Sequence, residues 1–314
     1  MKSLIVLFLC VSFIPQNAES FFRSRVLMED QAVTWSKPWI KLGKTEQESI
    51  VKLLRILKSS PTGKRIYTVA KAKLQKQNMT FFDLLSSGDT SLTDTTLIRR
   101  FSPSDPMDVQ YQTKSKITLN YYHNTFDALL DLAHELTHFN YRGAFNPYRQ
   151  GFNWRDFVKS TVEGKGGEVE AYMVECKIMR ELRPDHFSNG SRCLKITEQR
   201  SGKLSKLLAK RQFYKVGKHY DRFKGRLKDF RLDAKEIDFP LSDGDSLFLS
   251  SAYGLPYPLA ALEEYAVIMS TVCQNDLKRI DLIRRGPASQ SPETQSYLRD
   301  FEIRCNNFIS KSSN

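Results

Sequence analysis

The sequence predicts an α+β fold: a small mixed or antiparallel sheet packed on one histidine-bearing helix, then a mainly helical C-terminal lobe. Three observations predict it. Short β-branched and aromatic runs cluster between Thr80 and Tyr122, separated by Ser, Gly, Asp and Pro. The stretch from Asp131 to Phe139 has helical periodicity and carries two histidines four residues apart. From Glu168 onward the pattern is mostly helical, and no internal repeat or low-complexity tract appears.

Met1 to Ser20 reads as a secretory signal. Lys2 is its basic start, Leu4 to Ile14 its apolar run, and Ala18-Glu19-Ser20 its cleavage site. A retained anchor is the alternative, although the run is short for a bilayer. The expected location is secreted or periplasmic. Residues 21–44 are irregular, an N-terminal extension or a propeptide. Residues 45–182 form the expected core domain and 183–314 a helical, basic subdomain.

Within the core, Thr45 to Leu57 is helical, with Ile50, Leu53, Leu54 and Leu57 as its stripe, and Lys64 to Gln77 follows as a second helix. Thr80–Leu85, Ser91–Phe101, Asp108–Gln112 and Lys116–Tyr122 read as strands. The last runs into the histidine helix and is a candidate edge strand for pairing with an extended peptide; an ordinary edge strand is the plain alternative. Later helices are expected over Trp154–Val162, Glu168–Leu182, Thr197–Tyr214, His219–Leu232, Pro258–Arg284 and Thr294–Ile309.

His134-Glu135-Leu136-Thr137-His138 is an HExxH motif. On a helix its histidines lie one turn apart on one face, where both can grip one ion. Leu129, Leu132, Ala133, Leu136 and Phe139 point roughly the opposite way, toward a core. Asn124 and Thr125 supply a cap with Asp127 in the first turn. Glu135 is placed to act as general base. Only five histidines occur in the chain, so chance is a poor account of the pattern.

A catalytic zinc takes three protein ligands and keeps one position open. The extended HExxHxxGxxH form is absent, because Tyr141 and Ala144 stand at its Gly and His positions. A later carboxylate is therefore expected, with Glu163, Glu168, Glu170 and Glu175 within range. Glu168 shares an apolar face with Ala171, Tyr172, Ile178 and Met179, and it follows Gly166-Gly167, which allows close backbone approach. Glu170 falls on a solvated face. Glu175 is inward, as an ordinary buried ion pair or as a group that orients a histidine.

His134 to His138, followed by Glu168-Val169-Glu170-Ala171, resembles the gluzincin zinc metallopeptidases and their ExxA form. The resemblance spans roughly Lys116 to Leu182. It implies zinc ligands His134, His138 and Glu168, with Glu135 as base. Tyr172 replaces the Asp of the ExxxD form, and no GxMEN stretch is present. The oxyanion donor is not located; Tyr253, Tyr257, His219 and Tyr220 are the candidates. The expected function is an exported zinc-dependent peptidase, an endopeptidase acting on peptide or protein substrates. A zinc amidase acting on cell-wall peptides and a catalytically silent binding protein are the alternatives.

Four cysteines remain beyond the signal. Cys176–Cys193 and Cys273–Cys305 are the favoured disulfides, since each closes a short segment; free buried thiols are the alternative. Asn78 and Asn189 head glycosylation sequons. The net charge is +13, and much of it lies between Arg200 and Arg231. That stretch suits an anionic surface, membrane or cell wall, or simply a solubilising face. Export and the lack of a nucleic-acid motif argue against nucleic acid.

Overall fold

The computed structural model describes residues 35–149, 151–230, 232, 239–286 and 289–309. The expected signal peptide and most of the expected extension lie outside the described residues.

Two helices open the fold, α1 (Glu46–Leu57) and α2 (Pro61–Lys76). Each begins at a hydroxyl cap: Thr45 accepts from the Glu48 amide and Ser60 from the Gly63 amide. The expected strand at Thr80 is instead one helical turn, α3 (Phe81–Leu84). Asp83 folds back to accept from the Thr80 amide at 2.7 Å, a capping box that starts helix rather than strand.

The sheet has three strands in the order β1 (Leu85–Gly88), β3 (Asp105–Asn120), β2 (Leu92–Ser102). β1 runs parallel to β3 and β2 antiparallel, so the sheet is mixed. Two corrections follow. Asp108–Gln112 and Lys116–Asn120 belong to one strand, β3, and Tyr121 and Tyr122 lie beyond its end. Its C-terminal part is not an edge, because Ile117–Asn120 pairs with β1 on one side and Lys116–Thr118 with β2 on the other. The edge strands are β1 and β2.

Helix α4 (Thr125–Tyr141) carries the HExxH motif, and Asn124 caps it by accepting from the Asp127 amide. There follow α5 (Trp154–Glu163), α6 (Glu168–Leu182) and the short α7 (Pro184–Ser188). The expected helix over Thr197–Tyr214 shrinks to α8 (Lys206–Phe213). Before it, Gly202 takes φ +63° and Thr197 bridges to Leu204, so a tight loop replaces the first turns. The chain continues through α9 (Tyr220–Asp229), the long α10 (Tyr257–Arg285) and α11 (Pro292–Ile309). No helix among the described residues is long and apolar enough to cross a membrane.

Two hydrophobic cores form. One gathers Leu53, Leu57, Ile66 and Ile117 behind the apolar back of α4, Leu129, Leu132 and Leu136. The other gathers Phe157, Phe213, Phe223, Met269 and Phe301. Helix α6 serves both: Val174 and Ile178 enter the first, Val169 and Cys176 the second. Both expected disulfides are present, Cys176–Cys193 and Cys273–Cys305. They indicate an oxidising, extracytoplasmic setting.

Candidate metal centre

The site lies where α4 meets the first turn of α6. His134, His138 and Glu168 each bring one ligand atom to within 4.8 Å of the others, and this group could hold a metal ion. The His134 Nε2 lies 3.1 Å from Glu168 Oε2, and the His138 Nε2 3.4 Å from Glu168 Oε1. The same nitrogen of each ring therefore faces the same carboxylate.

The other nitrogens are held by the protein. His138 Nδ1 bonds the Gly166 carbonyl at 2.7 Å. His134 Nδ1 bonds the Glu175 carboxylate. Each partner can accept a hydrogen bond from Nδ1 and so turns Nε2 inward, the arrangement that supports a metal-binding imidazole. Glu175 thus orients His134, the role the sequence left beside an ordinary ion pair.

Gly166 makes this contact possible. Its φ is +68°, and a Cβ there would come within 2.3 Å of the Arg142 amide nitrogen and 2.6 Å of the Tyr141 carbonyl carbon. Only glycine lets the loop before α6 lie against the end of α4. The neighbouring carboxylates are used elsewhere. Glu170 accepts from the Gly166 amide at 2.7 Å. Glu163 takes the Tyr214 hydroxyl and an ion pair with Lys210. Of these carboxylates, Glu168 is the one grouped with the two histidines.

Glu135 is buried beside the ligands, and its Oε2 accepts from the Thr93 hydroxyl of β2 at 2.7 Å. Arg142 donates to Glu168 Oε1 at 2.9 Å. Neither Thr93 nor Arg142 was singled out from sequence. Thr93 had no local signal. Arg142 had one: it follows His138 by four residues, as His138 follows His134, and so extends the same helix face.

Burial alone would raise the Glu168 carboxyl, but His138, His134 and Arg142 outweigh it and hold it well below the usual carboxylate range. Burial opposes charge on His134; Glu175 and Glu168 overcome that and raise it well above the ordinary histidine. Among the four oxyanion candidates, Tyr257 is the one within electrostatic reach of Glu168, Glu175 and Glu135. Burial, then those carboxylates, push its pKa far up, so it stays a proton donor. Tyr253 neighbours Glu264 and Glu263 instead. Tyr220 lies under the Lys224 ammonium, and His219 ends a short 3-10 turn beside it.

A groove of about 450 Å³ runs from His138 and Arg142 toward Asn275, between the face of β2–β3 and α10. Thr93, Thr95 and Leu97 line one wall and Glu264, Ile268 and Val272 the other. No protein-family model matches the chain, and no curated protein or solved structure shows significant similarity to it.

Proposed function

We propose that this chain is a zinc-dependent peptidase of gluzincin type. The observation that carries the proposal is the convergence of two imidazole Nε2 atoms and one buried carboxylate beside Glu135. Two nitrogens and one oxygen suit zinc, and the Nδ1 partners make a fitting support for it. A zinc ion held there would polarise the scissile carbonyl and make water a competent nucleophile near neutral pH.

Glu135 takes the proton of the attacking water and passes it to the leaving amine. Thr93 fixes which way that carboxylate points. The Tyr257 hydroxyl, kept protonated by its surroundings, donates to the developing oxyanion. Arg142 and Glu175 hold Glu168 and His134 in place. The groove's hydroxyl and aliphatic walls suit an extended peptide with small or apolar side chains. A base held this firmly beside the ligands favours an enzyme over a silent binding protein.

The test is incubation with a mixed peptide library, with and without a zinc chelator. Cleavage should need the metal. Glu135→Gln should keep its metal by elemental analysis and lose cleavage by about 10²-fold or more; full activity in that variant would refute the mechanism. Tyr257→Phe, also metal-loaded, should lower kcat by about 10²-fold. An unchanged kcat would remove Tyr257 from the oxyanion role.

A further inference from the structure

We propose that the surface built from Arg192 to Arg211 docks on an anionic phospholipid bilayer. The segment is a rigid platform rather than a loose basic tail. Its 3-10 turn, Arg192–Ile196, is fastened to α6 by the Cys176–Cys193 disulfide. The loop that follows closes on itself: the Ser205 amide donates to the Ile196 carbonyl at 2.8 Å and the Glu198 amide to the Lys203 carbonyl at 2.9 Å. Arg180 of α6 donates to the Gly202 carbonyl at 3.2 Å.

Two leucines stand out from this platform. Leu207 is 58% exposed and Leu194 is 40% exposed. Leu194 and Leu208 line a shallow depression of about 840 Å³, whose rim includes Lys195 and Arg200. Around them Arg192, Lys195, Arg200, Lys203, Lys206 and Arg211 are all exposed. None of the six is ion-paired among the described residues; Arg192 reaches only the Leu247 carbonyl, at 3.5 Å. The one carboxylate of the platform, Glu198, accepts from the Ser201 hydroxyl at 2.8 Å. Pairing occurs nearby where carboxylates are supplied: Lys210 meets Glu163, and Arg226 meets Glu263 and Asp229.

A solvated basic face needs no exposed leucines, and a soluble polyanion gains nothing from them. A bilayer uses both, because head groups take the cations while the interface takes the apolar side chains. The combination of unpaired cations with leucines at one rigid surface therefore favours lipid. This inference is independent of the catalytic reading.

The experiment is co-sedimentation of the full chain with vesicles of phosphatidylcholine, with and without about one-third phosphatidylglycerol. Binding is expected only with phosphatidylglycerol, and it should weaken as salt rises. Each of Lys203→Glu, Lys206→Glu and Arg211→Glu should weaken it by about fivefold or more. Leu207→Asn should weaken vesicle binding by about tenfold while leaving heparin binding unchanged. Lys224→Glu, on the basic helix α9, should change vesicle binding by about twofold at most. Circular dichroism and metal content report folding in each variant. Absence of vesicle binding, equal binding to both vesicle types, or a Leu207→Asn variant that binds vesicles like the parent would overturn the proposal.

Discussion

Two buried ionic clusters sit on either side of the groove and are built on opposite plans. At its far end Asp276 is fully buried, and donors converge on it: Arg99, the Arg304 Nη2 at 2.7 Å and the Tyr297 hydroxyl at 2.9 Å. Arg99 also lies over the Tyr148 ring, 3.9 Å from its centroid. One carboxylate thus ties β2, the loop before α5, α10 and α11 together. At the other end ligand-type atoms converge instead. The Nε2 atoms of His134 and His138 and the Glu168 carboxylate lie close together, and Arg142 also donates to Glu168. Buried charge is therefore no sign of chemistry by itself. A carboxylate ringed by arginine and tyrosine donors is a fastener, whereas two imidazoles and a carboxylate brought together could hold a cation.

The largest effect that would test this contrast is on stability. Asp276→Ala leaves Arg99 and Arg304 facing each other without a counter-charge. It should lower unfolding free energy by about 3–5 kcal/mol in urea, while elemental analysis finds the metal content of the folded fraction unchanged. Loss of metal with stability intact would reverse the assignment of the two clusters. Glu175→Gln should act the other way round, with little loss of fold and about 10–100-fold weaker metal binding. Normal affinity by competition with a chelator would reduce Glu175 to a packing residue.

The smallest effect belongs to a third, half-exposed pair. His123 lies 3.1 Å from Asp131, and that hydrogen bond, against partial burial, raises its pKa above the usual histidine value. A raised folded pKa gives stability that is fully present below about pH 6.5 and lost as pH rises through the folded value. Solvent screens the pair, so its share should be under about 1 kcal/mol. The stability gap between the parent and His123→Gln should therefore shrink from acid to alkaline pH. A constant gap would show that the pair titrates no differently when folded.

The candidate metal group was legible because helical spacing and glycine placement are local. His134 and His138 needed only the turn of α4, and Glu168 only the phase of α6. The supports were less legible because they come from distant chain: Thr93 reaches Glu135 across 42 positions, and Tyr257 enters from α10. Strand β3 was divided in two because Thr113-Lys114-Ser115 lies in a largely exposed part of the hairpin, where water on both faces removes the alternation that marks a half-buried strand. The helix expected from Thr197 failed at Ser201-Gly202, a turn pair, and the true start was marked by Ser205, which accepts from the Leu208 amide.

Helix α6, shared between the two cores, bears on how the molecule comes apart. Melting either half would strip one wall from the other, since Val174 and Ile178 face one way and Val169 and Cys176 the other. The halves therefore lack independent thermal lives, and heat should dismantle them in one cooperative step. Partial opening is left to the periphery, and the ligands are lost only when the whole chain gives way.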